Sequence, residues 1–137
     1  MGLTLSATID DDGLGVALAA ASDKARAAAK KIIRTESLIA ERIIKDDMPV
    51  DTGRARASWG HYSPGDVKKN PESSEEDSVW LEENDGLTIT QGSNVEYIQA
   101  LNEGHSQQMG AGFIDAAAQT AAVHIIDGVN NLILGIF

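Results

Sequence analysis

The amino-acid sequence predicts a small domain of the α+β class, with a long helix in its first third, short strands in its middle and a second helix near its end. Two observations carry this prediction. Apolar residues recur at three- and four-residue steps over 13–47 and again over 113–131, which is the periodicity of an amphipathic helix. Between these segments, Asn84-Asp85-Gly86 separates two short apolar runs, and that tripeptide is typical of a hairpin turn.

The composition suits a single domain with an aliphatic core. The chain has 137 residues but only two Trp, two Tyr and two Phe, so the core must be built mainly from Ala, Ile, Leu and Val. It has no Cys, which excludes disulfides and Cys nucleophiles and fits an intracellular origin. No opening segment resembles a secretion signal, and no apolar run approaches the ~18 residues that span a membrane. We therefore expect neither secretion nor a membrane partner.

The charge is strongly asymmetric along the chain. The formal net charge is −10. Residues 1–56 carry nine acidic and nine basic side chains, whereas residues 57–137 carry twelve acidic ones and only Lys68 and Lys69. A protein that grips nucleic acid needs clustered Lys and Arg to contact phosphates. The balance therefore disfavours tight, direct DNA binding.

The first third of the chain predicts one long element. Residues 1–9 alternate loosely between apolar and polar, as in a short strand or a flexible arm. Asp10, Asp11 and Asp12 can then cap a helix over 13–47. Its apolar line consists of Leu14, Leu18, Ala21, Ala25, Ala28, Ile32, Ile39 and Ile43. A helix of about 35 residues would be roughly 50 Å long, so we expect it to project, kink or pack on a neighbour.

Pro49 ends this helix, because its ring forbids continued helical hydrogen bonding. Asp51 or Thr52 can cap a short helix after Gly53, and these four residues are interpreted as a structural turn. Residues 63–78 then contain two Pro and five acidic residues, which is typical of a mobile, solvated loop.

The short helix would carry Arg54 and Arg56. Two interpretations stay open for these arginines: surface charges that balance nearby aspartates, or ion pairs with an acidic region of a neighbouring subunit, with 72–85 as the candidate.

The second half predicts a hairpin followed by a helix. Strands are expected at 79–81 and 87–90, a second turn at 91–94, and extended structure or a short helix at 95–100. The last helix, over 113–131, places Ala117, Ala121, Ile125 and Val129 on one line. Residues 132–137 form an apolar tail whose exposure to water would be costly. We expect a partner to cover this tail.

One tripeptide, Asp51-Thr52-Gly53, resembles the signature of retroviral-type aspartic proteases, which dimerise to pair two aspartates that share a proton. Arg54 directly after it would lower the aspartate pKa and oppose that sharing. The apolar strand that should precede the tripeptide is also missing, since a charged helix and Pro49 stand there. A helix cap after a proline is the favoured interpretation, and no catalytic residue is predicted.

Metal and cofactor sites are not expected either. His61, His105 and His124 are far apart, and none has a second ligand at a metal-binding spacing. His124 is expected to be partly buried or to lie in an interface. Trp59 and Trp80 are expected in the core of the sheet.

The ordered set of motifs, rather than any one of them, resembles the neck and tail-completion family of long-tailed double-stranded DNA phages. The resemblance covers roughly residues 15–130. After the long Ala-rich helix the motifs are Pro49-Val50-Asp51-Thr52-Gly53-Arg54, Ala57-Ser58-Trp59, Val95-Glu96-Tyr97-Ile98, Leu101-Asn102-Glu103-Gly104-His105 and Gly112-Phe113-Ile114-Asp115-Ala116-Ala117. The chain departs from the family pattern at Ala55 and Gly112, where Leu and Pro are more usual, and in its longer 63–78 loop.

The resemblance implies that the long and C-terminal helices pack on a small antiparallel sheet. It also implies a structural virion protein without enzymatic turnover. Copies would form a ring, expected to be a hexamer or dodecamer, at the head–tail junction, with DNA passing through its lumen. Connector or head-closure proteins and tail terminator or tube proteins would be its partners. The residues expected at the assembly interface are Asp51, Arg54, Arg56, Leu132, Ile133, Leu134, Ile136 and Phe137. The alternative within this class is a tail terminator or head-closure protein.

Overall fold

A computed structural model describes residues 4–8, 23–48, 53–67, 73–103 and 112–136. Its elements, in chain order, are β1 (Thr4–Thr8), α1 (Asp23–Asp47), α2 (Arg54–Ser58), β2 (Ser78–Glu83), β3 (Thr88–Ser93), α3 (Ile98–Asn102) and α4 (Phe113–Ile136). Two 3₁₀ turns, Pro64–Asp66 and Glu75–Asp77, lie between α2 and β2. The predicted α+β class is confirmed: a long helix and a C-terminal helix accompany a small antiparallel sheet.

The sheet has three strands in the order β1-β3-β2, with both pairings antiparallel. The predicted hairpin joins β2 to β3, and Asn84, Asp85 and Gly86 all have positive φ. Asn and Gly tolerate that conformation better than most residues, which explains why the turn forms there. The opening segment, left open as strand or arm, pairs with β3 over Thr4–Thr8.

The turn predicted over 91–94 is wrong, because β3 continues through Ser93. Gln91 and Ser93 are polar residues, which favoured a turn, yet both are almost completely buried. Hydrogen bonds to distant residues hold them in the strand, as described below. After this strand, residues 98–100 lie in α3. The short helix, one of the two alternatives for the 95–100 segment, is therefore the one that forms.

The helices α1 and α4 run antiparallel and pack closely. A methyl group on Gly128 of α4 would lie 3.1 Å from Cγ2 of Ile32 on α1. The absence of a side chain at Gly128 therefore brings the two helices together. The predicted line of α4 is confirmed, since Ala117, Ala121, Ile125 and Val129 are all buried.

The buried line of α1 differs from the predicted one. Its buried apolar residues are Ala25, Ala29, Ile33, Ala40 and Ile44. Ile39 and Ile43, which the sequence placed in the core, are 44% and 38% exposed. The helix carries two neighbouring apolar lines, and tertiary packing buries the one that meets β3 and α4. The part of the predicted helix before Asp23 lies outside the described residues.

The core has two clusters along the helix pair. One surrounds the end of α1 and the start of α4, and its largest members are Trp59, Met48, Ile98 and Phe113. The other lies between the first half of α1, β3 and the second half of α4, around Ile33, Ile89 and Val129. The expected core position of Trp59 is confirmed, whereas Trp80 is half-buried against the second cluster.

Candidate assembly surfaces

The segment that the sequence assigned to a structural turn is described from Gly53 onward. Gly53 has φ +84° and directly precedes α2. A Cβ atom there would lie 1.9 Å from the backbone oxygen of Asp66. The position therefore requires glycine both for its conformation and for the close approach of the loop. Pro49, Asp51 and Thr52 lie outside the described residues, so their cap and interface roles stay predictions.

Arg56 is held by the end of α1. Its Nε donates to the backbone oxygen of Lys45 at 2.8 Å, and its Nη2 donates to the oxygens of Asp46 and Met48 at 3.3 and 3.5 Å. The last carbonyls of a helix lack partners within the helix, and a cation there also complements the helix dipole. Arg56 therefore stabilises the junction between α1 and α2 within one chain.

Arg54 forms a two-pronged ion pair with Asp77. Its Nε and Nη2 donate to Oδ2 and Oδ1 of Asp77, each at 3.2 Å. The side chains of Arg54 and Asp77 are only 16% and 13% exposed. Hydrogen bonding to Asp77 raises the pKa of Arg54 above its already high usual value. One of the two interpretations left open for this arginine is an ion pair with the 72–85 region of another subunit. The region is right, but the pair lies within one chain, because α2 packs beside the start of β2.

The acidic loop is organised around this pair. Ser74 and Asp77 form a capping box on the second 3₁₀ turn. Asn94 donates its backbone N–H to the Asp77 oxygen at 2.7 Å and its side-chain Nδ2 to the Glu76 oxygen at 3.0 Å. The expectation of a solvated loop therefore fails at Asp77, which is buried. The exposed carboxylates of Glu75, Glu76 and Glu96 remain around it, and we call these three residues the acidic corner.

The predicted apolar tail is mostly the last turn of α4. The helix continues to Ile136, so residues 132–136 extend an element that the sequence ended near 131. Leu132 packs partly buried against the second core cluster, whereas Leu134 is 74% exposed. Ile133 and Ile136 belong to α4, and Phe137 lies outside the described residues. Of the tail side chains that the structure describes, Leu134 remains available for an interface.

A buried polar network that the sequence did not reveal joins α1, α2 and β3. Trp59 Nε1 donates to Gln91 Oε1 at 2.8 Å, and Gln91 Nε2 donates to the Ser37 backbone oxygen at 2.8 Å. The hydroxyls of Ser58 and Ser93 are 2.7 Å apart. Buried polar groups need such partners, since an unsatisfied one is costly. The partners lie 32, 54 and 35 residues apart along the chain, so no local sequence signal could have indicated them.

A second polar cluster fastens the loop after α2 to α1. Lys45 Nζ donates to the His61 backbone oxygen at 2.5 Å and to Ser63 Oγ at 2.7 Å. Glu41 Oε2 accepts the backbone N–H of His61 at 2.9 Å and lies 2.7 Å from its Nδ1. Burial lowers the pKa of Lys45, against the opposing charges of Glu41 and Asp66. Lys45 and Glu41 thus hold the loop after α2 against α1, which favours a structural role for both side chains.

His124 is mostly exposed, with its Nδ1 3.2 Å from Glu36 Oε2. His124 lies beside, not on, the buried line of α4, and its side chain is 56% exposed; its expected place in an interface stays a prediction. Among the described residues, no group of three His, Asp or Glu side chains could hold a metal ion. His105 lies outside them.

Apolar side chains flank an exterior groove between α1 and α4. This outer groove itself is of mixed character and is lined by Ala28, Lys31, Ile32, Thr35, Glu36, His124 and Gly128. On α1 the exposed Ile39 and Ile43 follow Ile32 on the same side of the helix, seven and eleven residues later. On α4 the half-exposed Val123 lines an adjoining depression that shares His124. The described part of one chain thus leaves large apolar side chains exposed on the outer sides of both α1 and α4.

Neither a family model, nor a curated protein, nor a solved structure matches this chain. None of the helices in the described ranges combines the length and the hydropathy needed to cross a membrane.

Proposed function

We propose that this chain is a structural virion protein of a phage neck, whose copies form a ring that joins or completes the head–tail junction through which DNA passes. Connector or head-closure proteins would adjoin one side of the ring, and tail terminator or tail tube proteins the other. The ordered motifs of the sequence suggest this family. The α+β fold, with two long helices and a small antiparallel sheet, is the one that the resemblance implies.

The observation that carries the proposal is the apolar surface that a single copy leaves exposed. Ile39 and Ile43 are 44% and 38% exposed on the side of α1 that borders the outer groove, Val123 is 50% exposed on α4, and Leu134 is 74% exposed near the end of α4. Neighbouring apolar side chains of this size favour burial against protein. A ring subunit needs such a surface, because each copy contacts two neighbours.

The proposal is tested by the mass of the purified chain in solution and by negative-stain images. We expect a closed ring at high protein concentration. A matched pair of variants separates apolar assembly from folding. Ile39→Ser, on the side of α1 that borders the groove, should weaken the ring, whereas Leu81→Ser, on the exposed side of β2 and 53% exposed, should leave it intact. A strict monomer at high concentration would contradict the ring.

The protease alternative has its own test. Purified protein is incubated at mildly acidic pH with an unstructured polypeptide. We expect no cleavage. Cleavage that disappears in the Asp51→Asn variant would overturn the structural role, because it would show that the aspartate of the tripeptide is catalytic.

A further inference from the structure

Three cations on α1 have no ion-pair or hydrogen-bond partner among the described residues: Lys24, Lys31 and Arg42. Their neighbours on the same helix do have partners. For example, Lys30 pairs with Asp85 at 2.9 Å and Arg34 with Glu82 at 2.6 Å. The three unpaired cations are all exposed.

These cations share one side of the helix. Lys24 and Arg42 are 18 residues apart, which is about five helical turns, and Lys31 lies within about 20° of the same direction. Leu38, 38% exposed, lies on this side between Lys31 and Arg42. We call these four residues the cationic stripe. It extends roughly 27 Å along α1 and faces away from the buried line.

A surface of complementary charge lies elsewhere on the same chain. The carboxylates of the acidic corner are exposed, and among the described residues none of the three has a cation within ion-pair distance. Arg54, whose charge is close enough to Glu96 to interact with it, is already paired with Asp77. The neighbouring Tyr97 is 36% exposed and could pack on an apolar side chain such as Leu38. The acidic corner therefore offers both charges and an aromatic surface.

We propose that the cationic stripe of one copy binds the acidic corner of a second copy. This is a head-to-tail contact between two different surfaces, and repetition of such a contact closes a ring when its rotation permits. The inference deepens the proposed ring, on which it rests, by naming the two surfaces that meet. Arg54 acts indirectly here: by pairing with Asp77 it holds the 3₁₀ turn that presents Glu75 and Glu76.

A second copy fits the stripe better than DNA does. Three cations spread over five helical turns are too sparse to grip a duplex, for which a dense basic surface is typical. The stripe is also bordered by Asp23 and Asp46 at its two ends, and the whole chain carries −10. A compact acidic protein surface needs only the few cations that α1 provides.

The test uses two double charge reversals, Lys24→Glu with Lys31→Glu and Glu75→Lys with Glu76→Lys. Each variant alone has two surfaces of like charge, so each should associate about tenfold or more weakly than the wild type. In a mixture the reversed stripe of one variant faces the reversed corner of the other, and the unaltered surfaces also match. We therefore expect an equimolar mixture to recover assembly.

The readout is the mass in solution, with circular dichroism to establish that each variant is folded. The wild-type assembly should weaken between about 0.1 M and about 1 M salt, where the Debye length falls from about 10 to about 3 Å. Glu83→Lys with Asp127→Lys reverses two exposed acidic residues, one at the end of β2 farthest from the acidic corner and one on α4, and is the control for net charge. It should assemble like the wild type.

The opposing outcomes are distinct. If both reversal variants form rings as well as the wild type, or if their mixture fails to recover assembly, the stripe-to-corner contact is wrong while the neck ring stands. A wild-type chain that is monomeric at both salt concentrations overturns the contact between copies. If the charge-reversal variants lose DNA binding while their assembly is unchanged, the stripe binds nucleic acid. That outcome would also overturn this proposal. Failure of the neck role itself is measured separately, on phage particles.

Discussion

The ion pair between Arg54 and Asp77 gives the sharpest prediction about a single chain. If the pair forms within one subunit, replacing either partner destabilises the monomer itself. If Arg54 instead pairs with a neighbouring subunit, as its sequence context suggested, replacing it changes assembly and leaves the monomer stable. We therefore propose a double-mutant cycle with Arg54→Met, which keeps the apolar stem, and Asp77→Asn, which keeps the shape.

The expected magnitude follows from burial and geometry. Exposed ion pairs contribute about 0.2–1 kcal/mol, whereas removal of one partner from a fully buried pair costs about 3–5 kcal/mol. The side chains of Arg54 and Asp77 are 16% and 13% exposed and share two hydrogen bonds. This places the pair between the two limits. Each single variant should lower the free energy of unfolding by about 2 kcal/mol, with a coupling energy of about 1–2 kcal/mol.

The assay is urea denaturation followed by Trp fluorescence, at protein concentrations where the chain is monomeric. Arg26 is the control, because it pairs with an almost fully exposed Asp23; Arg26→Met should cost less than about 0.5 kcal/mol. Additive effects of Arg54→Met and Asp77→Asn, with a coupling near zero, would refute the intramolecular pair. Such a result would indicate that Arg54 pairs with a neighbouring subunit instead.

Three further predictions concern positions that the fold constrains. Gly53→Ala should lower the free energy of unfolding by about 2–4 kcal/mol, because φ is +84° and the new methyl would meet a backbone carbonyl. Gln91→Leu should cost about 1–3 kcal/mol, since it leaves the buried Nε1–H of Trp59 without an acceptor. Burial lowers the pKa of Lys45 below its usual 10.5, so between the lowered value and 10.5 the unfolded state binds more protons. The free energy of unfolding should therefore rise with pH across that window because of Lys45, and Lys45→Met should abolish this rise.

Urea denaturation measures all three. Gly65→Ala is the control for Gly53, because a methyl at Gly65 would meet nothing within 4 Å, and its effect should be below about 0.5 kcal/mol. Equal effects of the two Ala variants would contradict the described turn. Full stability of Gln91→Leu would count against the buried network. Parallel pH profiles of the wild type and Lys45→Met would show that this ammonium is not buried.

The elements with strong local signals were predictable. The line through Ala117, Ala121, Ile125 and Val129 fixed the buried side of α4, because a single apolar line leaves one way to pack. The hairpin followed from residues that tolerate positive φ at the turn. On α1, by contrast, two apolar lines run side by side, and only contact with β3 and α4 decides that Ile33 is buried while Ile39 is not.

The remaining errors arise from long-range contacts. Gln91 and Ser93 look like turn residues until Trp59 and Ser58 supply hydrogen-bond partners for them. The partner region of Arg54 was predictable from charge, but its location in the same chain was not, because charge patterns carry no information on which copy supplies the partner. Asp51 lies outside the described residues, so its assembly role remains a prediction.

The central claim, that this chain is a phage neck protein, is tested most directly by deleting its gene from the proposed phage genome and examining the morphology of the particles that form. If the chain completes the neck, electron micrographs should show heads and tails that fail to join, and infectivity should return when the intact gene is supplied in trans. Normally tailed, infectious particles from the deletion phage would contradict the proposed role.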